Sequence, residues 1–265
     1  MNKRILSQIW IYPVKGLGGI RLSTSRVMEK GLQYDRLWML VNEKSAFMTQ
    51  RENSTLALFK LSIHGLAFKV TFRNDSILLP FIHPVINTPI ETAVWHDSVT
   101  TFEVSNEHSE WFSQQLGMKC KLVSFPEENP RPVAAAYKIK DEQVSLADGY
   151  PLLIIGQASL DDLNGRLASP VPINRFRPNL VFTGGEAFEE DNWKYFTIGR
   201  NKFAGVKPCA RCIVPTINQD TGEKGREPML TLSRYRKRET DIYFGQNVIA
   251  IDRNEIHEGD EISLG

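Results

Sequence analysis

A chain of 265 residues is long enough for one large domain or two ordinary ones, each with a real core. Its composition, 42% hydrophobic and 24% charged, predicts a soluble globular protein. A net charge of +1 excludes a global pull toward nucleic acid or a membrane surface, so anion binding has to be local.

The N-terminus, Met1-Asn2-Lys3-Arg4-Ile5, runs straight into a strand-like segment and has no long apolar signal core. No apolar run in the chain is long enough to span a bilayer. Three cysteines, an odd number, make no disulfide framework and fit a reducing compartment. The expectation is a cytoplasmic protein.

In chain order, Ile5 to Tyr12 is β-branched and aromatic and ends at Pro13, which predicts a strand. Val14-Lys15-Gly16-Leu17-Gly18-Gly19 is a glycine-rich turn with one lysine, and it does not match the P-loop pattern. Val27 to Lys30, Leu37 to Val41 and Ala57 to Ile63 read as strands. Phe68 to Phe72 and Ile77 to Leu79 form a hairpin around Arg73-Asn74-Asp75. Glu91 to Trp95 and Val99 to Val104 flank His96-Asp97-Ser98. Short strands at close spacing, with no helices between them, predict a barrel or sandwich rather than a parallel sheet.

The first helix follows, capped by Ser105 or Asn106, with Trp111, Phe112 and Leu116 as its apolar stripe and Gly117 as its stop. Lys121 to Phe125 returns as a strand. Glu127 to Asp141 is polar, proline-punctuated and without period, which predicts an interdomain crossing or an active-site loop. Leu152 to Ile155 is an apolar strand, and Ser159 begins a second helix with Leu160, Leu163 and Leu167 inward. Asn174-Arg175-Phe176-Arg177-Pro178-Asn179 precedes the strand Leu180 to Phe182. Its arginines suit either a solvated face or an anion clamp. Met229 to Arg236 reads as a short helix, and Asn247 to Ile251 and Glu261 to Leu264 close the chain as strands.

Between these lies the chemically richest stretch, Lys207-Pro208-Cys209-Ala210-Arg211-Cys212-Ile213-Val214-Pro215-Thr216, followed by Asp220-Thr221-Gly222. Lys207 and Arg211 stand beside the cysteines, and nearby cations favour the thiolate, the nucleophilic and metal-binding form. The flanks place both cysteines at or just after a strand end. A structural zinc site wants four ligands, and the chain has no second pair at ligand spacing. A redox pair of the thioredoxin type opens a helix, which Pro215 and the β-like flanks oppose. Two reduced, half-buried cysteines is the plain reading of the corner alone. A single thiolate ligating a cofactor-borne transition metal is also open, and nothing local selects the metal.

Taken in order, four motifs resemble those of the MOSC proteins. They are Tyr12-Pro13-Val14-Lys15, Tyr34-Asp35-Arg36-Leu37-Trp38, Asn174-Arg175-Phe176-Arg177-Pro178-Asn179, and Cys209-Ala210-Arg211-Cys212 with Asp220-Thr221-Gly222. More narrowly, the chain is similar to the amidoxime-reducing branch of that family and its bacterial relatives. The resemblance runs almost end to end. It implies an α+β, predominantly β chain, with an N-terminal β-barrel-like domain over residues 1–125. A MOSC β-barrel with peripheral helices follows over residues 126–265.

The resemblance also implies a molybdenum cofactor, a pterin with a dithiolene and a phosphate tail. Its metal takes one protein thiolate, and the matching position is Cys212, the implied catalytic residue. The basic contacts fall on Lys15, Arg36 and Arg177, with Asn179 close by and His96 near the pterin. A polyanionic group needs such convergent cations even in a chain of near-zero net charge. The implied activity is reduction of N-hydroxylated small molecules such as amidoximes and hydroxylamines. The other reading the family offers is a non-catalytic carrier of the cofactor or its sulfur.

Two departures stand out. Gly16 replaces a small hydroxyl residue, and Asp148-Gly149-Tyr150 replaces a Ser/Thr-rich turn, which predicts a different substrate range. No Cys-x4-Cys-x2-Cys and no Gly-x-Gly-x-x-Gly follows a strand, so no iron–sulfur cluster is expected in this chain. Electrons are then expected from a separate ferredoxin-, flavin- or haem-type protein, with neither nucleic acid nor membrane as a partner.

Overall fold

The computed structural model describes residues 3–82 and 85–265, so Met1 and Asn2 of the N-terminal reading lie outside it. Seven strands close a barrel in the order Leu152–Gly156, Leu180–Thr183, Arg4–Ile11, Glu261–Leu264, Tyr195–Ile198, Asn201–Ala210 and Asp241–Ala250. The last pairs back onto the first, with Leu152 opposite Val248 and Ile154 opposite Gln246. Closure satisfies the edge groups that an open sheet would leave unpaired.

Alternation along the strands sorts side chains between two cores. Leu152 and Ile154 join Leu6, Ile9, Phe182, Phe203 and Val248 in the main cluster. Leu153 and Ile155 point the other way and pack with Leu160 and Leu163 of the helix Gln157–Asn164. Leu152–Gly156 and Leu180–Thr183 run parallel, the single helix-bearing crossover around the ring. The strand is therefore covered on both faces, which explains an unbroken apolar run where a one-sided strand would alternate.

The N-terminal strand Arg4–Ile11 sits inside this barrel, between Leu180–Thr183 and Glu261–Leu264. The expected boundary near residue 125 is thus crossed in space by the first strand of the chain. Ile20–Leu22 pairs with that first strand, Thr24–Met28 and Gly31–Leu32 join Glu255–His257, and five more N-terminal strands form a sheet in the order Pro89–Val94, Asp97–Glu103, Cys120–Ser124, Trp38–Asn42, Val14–Lys15. A three-stranded sheet of Lys60–His64, Ala67–Phe72 and Asp75–Pro80 stands beside it.

The first helix, Asn106–Leu116, starts and stops on the expected residues: Ser105 caps it and Gly117 ends it at φ 66°. Phe112 is buried and Trp111 and Leu116 are partly so, while His108 and Ser109 complete the inner face. Two expectations are corrected. The stretch Ala57 to Ile63 is split, because Asn53 accepts from the Thr55 N–H and winds Ser54–Leu58 into a 3-10 turn before the strand Lys60–His64. The second helix starts at Gln157, not Ser159, and ends before Leu167. Its N-cap residue is Gly156, with no side-chain cap, and the buried Glu190 carboxylate anchors that end by accepting the Gly156 N–H at 3.1 Å and the Ser159 hydroxyl at 2.8 Å. Among the described residues no helix is long and apolar enough to cross a membrane.

The polar crossing, Glu127 to Asp141, holds no regular helix or strand, yet one of its side chains is the most committed in the fold. Arg131 is 2% exposed. Its guanidinium donates to Asp97 Oδ2 at 2.8 Å, to the carbonyls of Ser145 and Ala147 at 2.5 Å each, and to that of Asp148 at 3.3 Å. It therefore fixes the backbone of residues 145–148. Arg131→Met strands these carbonyls and is expected to cost about 3 kcal/mol. Asp97→Asn, on the half-exposed partner, is expected to cost well under half of that. Urea unfolding of both variants measures the difference, and equal losses would contradict the carbonyl-clamp account.

Candidate active site

A cavity of about 340 Å³ opens at one end of the barrel. Its lining wall joins barrel residues Leu152, Leu153, Asn179, Lys207 to Ala210 and Asn247 to Lys15, Phe47 to Arg51 and Trp95. The register explains the barrel part of it, since Asn247 lies between Leu153 and Lys207 in the pairing of three adjacent strands.

Lys15 ends the short strand Val14–Lys15, which runs parallel to Trp38–Asn42, and its Nζ bonds Asp148 Oδ1 at 2.5 Å. Arg36 follows Asp35, which is 1% exposed. One Asp35 oxygen accepts the Tyr12 N–H at 2.7 Å and the other accepts Arg36 Nη1 at 2.5 Å. Arg36 also donates to Asn179 Oδ1 at 3.1 Å and to the Arg177 carbonyl at 3.2 Å. Arg177 donates to the Leu17 carbonyl at 2.7 Å. Both guanidinium groups lie over the Tyr12 ring, at 4.4 Å for Arg36 and 4.2 Å for Arg177. Arg36 and Arg177 adopt φ of 52° and 55°, left-handed conformations that a non-glycine residue holds only when its surroundings over-determine them.

Asn179 is buried at the barrel rim. Its side chain donates to the Trp10 carbonyl at 3.1 Å and accepts the Leu153 N–H at 3.2 Å, so it ties neighbouring strands as well as Arg36. His96 is the exception among the expected site residues. It is exposed in the two-residue turn between Pro89–Val94 and Asp97–Glu103 and does not line the cavity. Its neighbour Trp95, at φ 59°, takes that place, with its indole N–H on Asp148 Oδ1 at 3.1 Å and Arg51 over its ring at 4.2 Å.

The strand Asn201–Ala210 carries Cys209 to the cavity, and register shifts on either side of Pro208 bend it there. Cys212 stands just past the strand end, before the 3-10 turn Val214–Thr216. Both cysteines are half-buried and both line the cavity. Cys209 Sγ accepts from Arg211 Nη1 at 3.1 Å, and Arg211 is anchored on the Phe176 carbonyl at 2.7 Å. Cys212 Sγ receives only the Val214 N–H at 3.5 Å. Among the described residues no group of three or more His, Cys, Asp or Glu could hold a metal ion. A zinc site built from protein ligands alone is therefore not formed there.

The wall carries six cationic side chains, Lys15, Arg36, Arg51, Arg177, Lys207 and Arg211, against the single carboxylate Asp148. A chain of +1 overall thus concentrates its positive charge in one recess. Burial pulls the Lys15 ammonium down from its ordinary range, and Asp148 pulls it back. Burial brings Arg177 down to about 10, with Tyr12 opposing and Arg36 reinforcing. The surrounding recess by itself would raise Asp148, open though its side chain is to that recess, but Lys15, the Trp95 N–H and Arg51 overcome it and hold the carboxyl well below the usual carboxylate range. The arrangement can therefore neutralise a polyanion and offers a soft sulfur at its edge.

Tyr12, Trp95 and Arg51 line or support the recess without any local sequence signal, whereas Asp148 lies in the turn expected to alter substrate range. Tyr12 sits in a quoted motif, but its platform role needs two arginines separated from each other by 140 positions of chain to meet on it. Only folding shows that.

The fold and this site define a closed β-barrel with a cation-lined recess, and the chain belongs to the MOSC family. Residues 3–119 match the model of the MOSC N-terminal beta barrel domain, and residues 141–263 match that of the MOSC domain. The chain is 33% identical to mitochondrial amidoxime-reducing component 1 of Mus musculus, over 98% of this chain and 82% of that protein. Its human counterpart is 32% identical over the same shares. The molybdenum cofactor sulfurase of Oryza sativa is 31% identical over 98% of this chain but only 34% of its own length.

Tyr12 offers a direct test of how the arginines are held. Its hydroxyl is buried without a partner, and burial pushes its pKa up to about 12. Tyr12→Phe removes only that orphan and is expected to be neutral or slightly stabilising. Tyr12→Leu removes the platform under both guanidinium groups and is expected to cost about 2 kcal/mol or more. Denaturant unfolding ranks the two, and a Phe variant as damaged as the Leu variant would contradict the stacking role.

Proposed function

We propose that this chain is a molybdenum-cofactor-dependent oxidoreductase that reduces N-hydroxylated compounds such as amidoximes and hydroxylamines. The observation that carries the reading is the donor set: six cations and a lightly engaged thiol on one cavity wall, with one carboxylate among them. That set suits a phosphate-bearing pterin whose metal takes a single thiolate. Lys15, Arg36 and Arg177 would hold its anionic oxygens, and Cys212 its metal. Asn179 would keep Arg36 aimed, and His96 falls outside the set. When bound, the cofactor would supply two-electron redox chemistry at the metal. The overall change consumes two electrons and two protons and frees the nitrogen-bound oxygen as water. The chain's own contribution is to orient the cofactor and the substrate and to limit water in the recess. Residues 1–125 and 126–265 are read as two domains that share the first barrel strand.

Electrons would come from a separate redox protein of ferredoxin, flavin or haem type. The similarity to a molybdenum cofactor sulfurase favours a second reading, a carrier that binds or hands on the cofactor without turnover.

Protein produced in a molybdopterin-competent host tests both. Cys212→Ala is expected to lose its molybdenum, whereas Cys209→Ala keeps most of it, because only the first removes a metal–thiolate bond. Equal molybdenum in wild type and Cys212→Ala would sink the ligand assignment. Arg36→Ala and Arg177→Ala are each expected to lower pterin content at least tenfold in dilute solution, against no change for the exposed Lys237→Ala. A charge-assisted contact of about 1.5–3 kcal/mol sets that scale. Wild type is expected to reduce benzamidoxime with dithionite-reduced viologen and not with NADH alone. Molybdenum-loaded protein inert toward every N-oxygenated compound would favour the carrier.

A further inference from the structure

Asp148 is the one carboxylate on a wall of six cations, and nothing in the retention of a polyanion explains it. A negative group there weakens anion binding. The fold nevertheless holds it in place with care. Arg131 bonds the carbonyls of Ser145, Ala147 and Asp148. Lys15 and the Trp95 indole both bond Oδ1, at 2.5 and 3.1 Å. Oδ2 has no partner among the described residues, and the side chain is 66% exposed. Since Asp148 lines the cavity, that exposure faces the recess. One oxygen is pinned and the other is presented.

We propose that Asp148 is a specificity-determining residue whose free oxygen accepts from the amino N–H of amidoximes and N-hydroxyguanidines, favouring them over hydroxamic acids. The proposal rests on the reductase reading above. Reduction of an amidoxime, R–C(NH2)=N–OH with two electrons and two protons, gives R–C(NH2)=NH and water. As the N–O bond breaks and protons are taken up, the C(NH2)N unit gains amidinium character, and the amidine product takes one more proton to become a cation with N–H donors on both nitrogens. A carboxylate oxygen with open lone pairs forms charge-assisted hydrogen bonds to such a group, roughly twice as strong as those to a neutral amide. A hydroxamic acid yields a neutral amide and gains less. Once a polyanion occupies the arginines, their repulsion of a cation near Asp148 is offset, so the preference belongs to the loaded protein. Trp95 and Arg51 stand beside the carboxylate and leave its second oxygen as the open polar contact.

The test uses molybdenum-loaded wild type and Asp148→Asn, which keeps an oxygen for Lys15 and Trp95 but removes the charge. The kinetic readout is the ratio of kcat/KM for benzamidoxime to that for benzhydroxamic acid, which is insensitive to any shared loss of cofactor. It is expected to fall about tenfold or more in Asp148→Asn. An unchanged ratio would overturn the proposal. The binding readout is calorimetry with benzamidine and its neutral isostere benzamide. Wild type is expected to bind benzamidine at least tenfold more tightly than benzamide, and Asp148→Asn to lose that preference. Absence of the preference in wild type would also overturn it, even if the variant failed to load cofactor. Loaded protein that discriminates benzamidine through Asp148 but reduces nothing would leave the subsite standing and defeat the reductase reading. Protein that takes up no molybdenum would defeat both.

Discussion

Two guanidinium groups share one tyrosine ring, at 4.4 and 4.2 Å, and as like charges in a buried site they repel each other. The rest of the recess is organised around bearing that repulsion. Asp35 faces Arg36 from the protein side, the Leu17 carbonyl takes Arg177, and the Arg177 carbonyl takes Arg36. These contacts engage the inner donors of each fork. Gly19 lies so close to the ring that a Cβ there would approach Tyr12 to 2.5 Å, so the platform cannot tilt away. Local strain at Arg36 and Arg177 is thus held by a packed ring, a buried carboxylate and two carbonyls, the pre-organisation expected of a site that must receive charge.

Barrel closure determines where this happens. The first strand contributes Trp10, whose N–H and carbonyl both meet Asn179, the residue that opens Leu180–Thr183. Asn179 in turn exchanges bonds with Leu153 through its main chain and its side-chain oxygen. An amide side chain extends the ladder at the rim, where three strands part. The Tyr12 platform leaves the barrel directly after that stitch, so its position is inherited from the ring of strands. This is why residues near both ends of the chain meet in one recess.

Local signals made much of the fold legible. Helix Asn106–Leu116 follows from a cap, an apolar spacing and a left-handed glycine, all within a dozen residues. The hairpin around Arg73-Asn74-Asp75 and the strand before the cysteines are of the same kind. The start of the second helix escapes local reading because Gly156 gives it no side-chain cap and its anchor, Glu190, lies far along the chain. Arg36, Arg177 and Cys212 were reachable through motif resemblance, and the structure brings them to one wall. Whether a hairpin-tip residue faces the cavity is decided by backbone conformation: Trp95 at φ 59° goes in and His96 stays out. A polar type at the right sequence distance carried no information about that choice. Asp148 and Tyr12 matter through long-range partners, so periodicity could not single them out.

The two cysteines of the corner differ in a way that bears on the proposed ligand. Arg211 approaches Cys209 Sγ at 3.1 Å and is itself tied to the Phe176 carbonyl, so that sulfur's electron density is directed at a fixed cation. Cys212 Sγ has only a long contact with the Val214 N–H, and its lone pairs are otherwise open. A soft metal ion competes poorly with a guanidinium that cannot withdraw, and well with a distant amide. The bend around Pro208 keeps Cys209 on the strand, whereas Cys212 lies beyond it, where a proline-bearing 3-10 turn sets the backbone. Geometry therefore separates residues that composition makes equivalent: Cys209 is engaged by the anchored Arg211, and Cys212 has the less engaged sulfur.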